Sequence, residues 1–183
     1  MLKLDKVTRL NRAQIKMWDR YRGSKYDYEY HTILQALETE SMSAYLDRIE
    51  MSQSRLHSDK VFSYVLTNSF GIVVGFTYFY VMKLKDGKYD MFIQSIAVHP
   101  KYRNRGYAKK ILSEIFMNSD KYIGKELNDV GAFVFPWNGD SLKLFDHFAE
   151  FERKWYRGKF YLIIADYQSI KQNLENYNQS RDV

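Results

Sequence analysis

Apolar and polar positions alternate at the start of the chain. Leu2 and Leu4 stand against Lys3 and Asp5, and this period of two predicts a strand over residues 2–7. Asn11 reads as the cap of a short helix ending at Trp18 or Tyr21. Across residues 27–56 the spacing is helical, with Ile33, Leu34, Leu37, Tyr45, Leu46 and Ile49 on one side. Ser41 and Ser43 divide that run into two helices, and polar residues 57–60 end it. The pattern then changes period. Residues 61–66, 72–83 and 89–98 are rich in β-branched and aromatic side chains, with turn signals at Asn68-Ser69-Phe70-Gly71 and Asp86-Gly87. They predict an antiparallel meander of three strands that stops at His99-Pro100, because proline cannot continue a ladder.

Downstream, Ala108, Ile111, Leu112, Ile115 and Phe116 predict a helix over residues 106–118. Residues 129–135 read as a strand and 141–151 as a helix. Residues 152–156 and 160–165 read as strands joined by an Arg157-Gly158-Lys159 turn, and 167–177 as a last helix. The order β α α β β β α β α β β α predicts an α/β class of the mixed-sheet α+β type. Its sheet is mostly antiparallel, twisted and flanked by helices. No internal repeat or low-complexity tract interrupts the chain. Its 183 residues fit one domain over 1–183, with 167–183 as a C-terminal helix or tail. A composition 45% hydrophobic and 27% charged is that of a soluble globular protein with a real core.

Composition next removes whole classes of chemistry. Cysteine is absent, which excludes disulfides, thiolate metal sites and cysteine nucleophiles. The four histidines, His31, His57, His99 and His147, show no i, i+4 clamp and no HExxH, so no metal is expected. The longest strongly apolar stretch, residues 71–82, is shorter than the about 20 residues that span a bilayer. The opening MLKLDKVTRL lacks the apolar core of a secretion signal. A cytoplasmic protein without a membrane partner is the expectation, with a homodimer left open. The 16 Tyr, 12 Phe and 3 Trp read as core and cleft lining.

Charge is more informative. The chain carries 28 basic and 22 acidic residues, a net +6. Lys101, Arg103, Arg105, Lys109 and Lys110 fall in one ten-residue window without an acid; outside it 23 basic residues face 22 acidic ones. Nucleic-acid binders spread positive charge over a face, so no nucleic-acid partner is expected. A small polyanion held at one place fits better.

The window belongs to a strand–loop–helix segment, IQSIAVHPKYRNRGYAKKIL, over residues 93–112. Gly106 has no Cβ, so a ligand can approach its backbone closely. The first amides of the following helix, from Gly106 to Lys109, have no intrahelical acceptor and sit at the positive end of the helix dipole. Arg103 and Arg105 add charge-assisted donors, and a diphosphate is the natural occupant. The nucleotide motifs GxxxxGK(S/T) and GxGxxG are both absent.

These residues resemble the central motif of the GNAT superfamily of N-acetyltransferases: a strand, V-x-P, then Q/R-x-x-G-x-G/A opening a helix. Here Val98-His99-Pro100 precedes Arg103-Asn104-Arg105-Gly106-Tyr107-Ala108, with Leu112 at the matching place. Asn138, after the apolar Val130 to Val134, resembles the asparagine of a second motif, and Ser141, Leu144 and Phe145 follow at similar spacing. The resemblance covers the element order from Leu2 to Ala165. It implies acetyl-CoA as donor cosubstrate, with its pyrophosphate on the amides of Arg103, Asn104, Arg105, Gly106, Tyr107 and Ala108, next to Lys109. It also implies that the backbone of Ile96, Ala97 and Val98 holds the pantetheine arm, that Asn138 contacts that arm, and that Phe145 packs beside the cofactor sulfur. The implied reaction is direct attack of a primary amine on the thioester.

The chain departs from the superfamily pattern in three places. Relatives often carry a glutamate general base in strand four, where Gln94 stands here, and a general-acid tyrosine where Phe145 stands. The usual Gly-Phe ending of the second motif appears as Ala149-Glu150-Phe151. Catalytic groups are therefore unassigned, with Gln94, Tyr102, Tyr107 and Tyr156 as candidates and Asp90 judged too far from the thioester. His99 occupies the middle of V-x-P, a position expected to be exposed, and His147 is expected to face solvent. Glu29, Glu38 and Glu40 fall in the region that shapes the acceptor pocket in relatives. A noncatalytic acyl-CoA sensor or interaction module on the same fold is the alternative.

Overall fold

The computed structural model describes residues 2–17 and 61–180. The predicted helices of residues 27–56, the end of the first helix at Trp18 or Tyr21, and Glu29, His31, Glu38, Glu40 and His57 lie outside them. Among the described residues seven strands form one sheet in the order β1-β2-β3-β4-β5-β7-β6. The strands are β1 (Lys3–Lys6), β2 (Val61–Thr67), β3 (Val73–Lys83), β4 (Tyr89–Val98), β5 (Leu127–Val134), β6 (Glu152–Tyr156) and β7 (Phe160–Asp166). The described helices are α1 (Arg9–Lys16), α2 (Tyr107–Met117), α3 (Ser119–Tyr122), α4 (Gly139–Asp146) and α5 (Tyr167–Gln179). The class is the mixed α/β one the sequence pattern predicts. None of these helices is long and apolar enough to cross a membrane.

Contacts divide the chain into two compact units, one of Met1–Tyr78 with Ile96–Ile111, the other of Phe79–Ser95 with Leu112–Val183. In the first unit β1 pairs antiparallel with β2. The cap of α1 is Thr8, not Asn11: Thr8 Oγ1 accepts from the Asn11 amide (3.2 Å) and Asn11 Oδ1 accepts from the Thr8 amide (3.0 Å). Both residues are capping types, and the earlier start is the one in which they satisfy each other. It also turns Ile15 into the core. Gln14 then ties α1 to the β2–β3 turn, donating to the Gly71 carbonyl (3.1 Å) and accepting from the Val73 amide (2.8 Å). Ile72, expected in β3, stays in that turn because its amide donates to Asn68 Oδ1 (3.0 Å).

At Gly75 on β3 neighbouring segments come close to the backbone. A Cβ there would lie 2.8 Å from Ile111 Cδ1 and 3.3 Å from the Ala97 carbonyl oxygen. Its absence lets α2 and the end of β4 settle against β3.

In the second unit β4 runs parallel to β5, while β5–β7 and β6–β7 are antiparallel. The β4–β5 register shifts between Tyr89 and Met91, where Asp90 Oδ1 accepts from Asn128 Nδ2 (3.2 Å) and the Asp129 amide (3.3 Å). β5 begins two residues before the predicted 129, since Leu127 is buried, and ends at Val134 as Pro136 approaches. Helix α4 occupies Gly139–Asp146 rather than residues 141–151. Phe148, Ala149 and Phe151 are buried, but from a turn in which the Phe148 amide donates to the Phe145 carbonyl (2.8 Å), so apolar spacing imitated further helix. The short α3 carried no periodicity of its own. Asp166 caps α5, and the Tyr167 hydroxyl donates to the Phe116 carbonyl (2.7 Å) beside Ser119 Oγ (2.8 Å). Ile115, Phe116, Val130, Phe148 and Ile170 make the center of this unit's core.

Candidate functional site

The loop after β4 is built from short-range hydrogen bonds. The His99 amide donates to the Val74 carbonyl of β3 (2.9 Å), which fixes where the strand ends. Pro100–Tyr102 form one turn of 3-10 helix, closed by the Tyr102 amide on the His99 carbonyl (2.8 Å). His99 Nδ1 accepts from the Lys101 amide (3.1 Å) and so acts as the turn's side-chain cap. Arg103 is extended, Asn104 is left-handed with φ 59°, and Gly106 is left-handed with φ 73°. Asparagine is among the few residues that enter that region at little cost.

Helix α2 starts at once, its first internal bond running from the Lys110 amide to the Gly106 carbonyl (2.9 Å). The amides of Tyr107, Ala108 and Lys109 therefore have no acceptor within the helix. Among the described residues, a Cβ built on Gly106 meets no atom within 4 Å.

Tyr102 organises the side chains around this opening. His99 meets its ring edge-on (5.3 Å between centroids), Tyr107 tilts against it (6.4 Å), and the Arg105 guanidinium lies over it (5.7 Å). Arg103 Nε donates back to the Val98 carbonyl (3.4 Å) and ties the loop to β4. No acid occupies the first turn of α2. Amides, helix dipole and arginines together can hold a compact polyanion.

His99 is not exposed as expected; only 7% of its surface is accessible. The turn pulls its ring inward to cap Lys101 and to lie against Tyr102. Burial, aided by Lys101 and Arg103, lowers its pKa below the usual histidine value, so it is neutral at pH 7.

The remaining candidates belong to the second unit. Asn138 caps α4, its Oδ1 accepting from the Ser141 amide (3.1 Å), which leaves Nδ2 as its donor for a ligand. Phe145 is 2% exposed and edge-on to Phe151 (5.3 Å). Gln94 is exposed on β4, and His147, expected to face solvent, is exposed after α4. The ring of Tyr156 lies 5.0 Å from that of Phe133, with the Arg157 guanidinium over it at 5.2 Å. Asp90 is engaged at the start of β4, six residues before Ile96, or about 20 Å along the strand. Its neighbour Asp129 has a raised pKa, through burial first and then repulsion from Asp90 and Asp166. Among the described residues no three His, Cys, Asp or Glu side chains converge as a metal site.

Sequence reading missed the aromatic grouping around Tyr156, because its rings come from five strands and one loop. The available signal was the phenylalanine alternation at Phe133 and Phe135, with Trp137 just beyond.

Residues 26–151 match the model of the acetyltransferase (GNAT) family. Comparison with curated protein sequences finds no match. Among solved structures, a mutant spermidine/spermine N-acetyltransferase from Vibrio cholerae aligns at 11% identity and TM-score 0.61, covering 94% of this chain and 98% of its own. The PaiA N-acetyltransferase of Thermoplasma acidophilum, solved with coenzyme A, aligns at 14% identity and TM-score 0.58 over 91% and 99%. A GNAT-family acetyltransferase from Staphylococcus aureus aligns at 12% identity and TM-score 0.60, again over 91% and 99%. At these identities the likeness concerns the fold.

The state of His99 sets a pH dependence. In the unfolded chain its pKa is near 6.5, and folding lowers it. The stability of the neutral, capping form is therefore complete above about 6.5 and is lost as pH falls through that value toward the folded pKa. The thermal midpoint should drop between pH 7 and pH 5. His99→Asn keeps an acceptor for the Lys101 amide but binds no proton, and should make the drop smaller. Equal drops in melting curves of the two proteins would contradict the assignment.

Proposed function

We propose that this chain, which belongs to the acetyltransferase (GNAT) family, holds acetyl-CoA by its diphosphate at the start of α2 and passes the acetyl group to a primary amine. The observation that carries this reading is Gly106, left-handed and, among the described residues, with no atom within 4 Å of where its Cβ would stand, at the start of a helix whose first turn holds no acid. The fit to a diphosphate is good. The left-handed backbone at Asn104 and Gly106 bends the loop directly before the first amides of α2, and Arg105 is stacked on Tyr102. In this reading Arg103, Asn104, Arg105, Gly106, Tyr107, Ala108 and Lys109 receive the phosphates. The backbone of Ile96, Ala97 and Val98 lies along the pantetheine arm. For Asn138 the donor left is Nδ2, and Phe145 can supply only apolar contact.

Bound acetyl-CoA supplies the acyl carbon: the neutral acceptor nitrogen forms the new C–N bond, the C–S bond breaks, the nitrogen sheds a proton to water, and the leaving thiolate takes one from water. The chain's own contribution is position, since an aligned amine and thioester react far faster than free ones. Gln94 cannot accept the amine's proton, Phe145 cannot give one to the sulfur, and Asp90 is spent on the β4–β5 junction. Either a carboxylate elsewhere takes the proton through water or the amine arrives neutral, and this reading takes the second route. The same two residues, Gln94 and Phe145, favour a second reading, in which the fold senses acyl-CoA without turnover. Thiol release in the presence of amines distinguishes the two.

Two outcomes are expected. Acetyl-CoA raises the melting temperature, and pantetheine without phosphates binds more than about tenfold more weakly. Gly106→Val, which forces a β-branched residue into φ 73°, abolishes the difference while circular dichroism stays unchanged. Equal calorimetric affinities in the native protein would remove the loop assignment. Separately, kcat/KM climbs with pH toward the acceptor's own pKa, and the apparent pKa moves when amines of different basicity are compared. One fixed apparent pKa across amines would reveal an enzyme base.

A further inference from the structure

We infer that the acceptor is an amine bearing an aromatic side chain and an anionic group, received by a wall of rings on the sheet of the second unit. The inference rests on the acetyl-transfer reading for the reaction, but the wall can be tested without turnover.

Strand alternation places Phe92 and Gln94 on one face of β4. Gly131 stands opposite Phe92 on β5, and the missing side chain makes room for the ring: a Cβ there would lie 3.2 Å from Phe92 Cζ. Two residues on, Phe133 returns to the same face, level with Gln94, since Ile93 and Ala132 are the preceding pair. From Phe133 the rings continue without a break. Phe92 lies 5.8 Å away, Tyr156 5.0 Å and Phe160 6.2 Å. Phe135 lies 4.4 Å from Phe160 and stacks at 4.5 Å on Trp137, the residue just before Asn138. Tyr80 stacks on Phe92 at the far side (5.6 Å).

This wall is not closed core. Phe133 is 40% exposed and Trp137 45% exposed, whereas the opposite face of the same strands, with Met91, Ile93, Val130, Ala132 and Ile163, is buried. The two exposed rings are joined through half-buried Phe160 and Phe135 into an apolar surface on which an apolar group can dock. Their position beside Gln94 and next to Asn138 puts them where an acceptor would lie.

Charge narrows the class. Among the described residues, Arg157 is a cation over the wall, stacked on Tyr156. Glu152 of the same hairpin is held by Lys154 at 3.0 Å. A polyamine would bring extra ammonium groups toward that guanidinium. An aromatic amine with a carboxylate places its ring on Phe133 and Trp137 and its anion on Arg157.

N-acetylphenylalanine, the product such an acceptor would give, tests this by Trp137 fluorescence, with Trp137→Phe identifying the signal. N-acetylphenylalanine should bind. Its amide, which lacks the anion, should bind several-fold more weakly, and Arg157→Gln should erase that gap. Phe133→Ala, at an exposed position, should weaken both about tenfold, and Trp137→Ala should do the same by calorimetry. Tighter binding of N1-acetylspermidine, or unchanged affinity in both alanine variants, would overturn the inference. If N-acetylphenylalanine binds as described but phenylalanine yields no thiol from acetyl-CoA, the wall stands and the acetyl-transfer reading fails.

Discussion

The backbone at Gly106 must turn left-handed, and most of the site follows from that turn. With φ at 73° the chain leaves the loop and enters α2 within one residue, and Ile111, Leu112, Ile115 and Phe116 of that helix are buried. A residue with a Cβ would meet roughly 1–2 kcal/mol of strain there, even though nothing crowds it. A second glycine acts on the other side. Gly75 lets Ile111 of α2 and the end of β4, which feeds the loop, approach β3. The anion cradle is thus a result of packing as much as of charge. The arginines add to an electrostatic site that the backbone already provides.

His99 shows how closely loop and sheet are joined. Its amide reaches Val74, its ring caps Lys101, and its face meets Tyr102, on which Arg105 rests. One neutral imidazole therefore supports the turn that carries the charged residues. Arg103, bonded to the Val98 carbonyl, closes the same loop from the other end.

Much of this was legible in the sequence because it depends on local chemistry. The bounds of β4 and β6 follow from alternation and turn residues, and the Val98-x-Pro100 and Arg103-x-x-Gly106-x-Ala108 spacing marks the cradle directly. The failures have a common origin in contacts distant along the chain. Thr8 and Asn11 are equivalent capping types until packing of Ile15 chooses between them. The end of α4 was misread because Phe148, Ala149 and Phe151 are buried from a turn at nearly helical spacing. The burial of His99 depends on Val74 and Tyr102, which no short-range pattern links to it. The aromatic wall was invisible for the same reason, since Phe92, Phe133, Tyr156 and Phe160 meet only through strand register.

The chemistry is economical in charged groups. The two positions that would carry a base and an acid hold Gln94 and Phe145, and the nearest strand carboxylate, Asp90, is built into the β4–β5 junction. What remains is a device for holding two reactants, and its central element is the set of amides that begins α2. Those amides can be observed directly by nitrogen–proton correlation spectroscopy during titration with acetyl-CoA. The account predicts that the largest shifts, and slowed proton exchange, fall on Gly106, Tyr107, Ala108 and Lys109. Saturable binding that leaves those four resonances unmoved would contradict it.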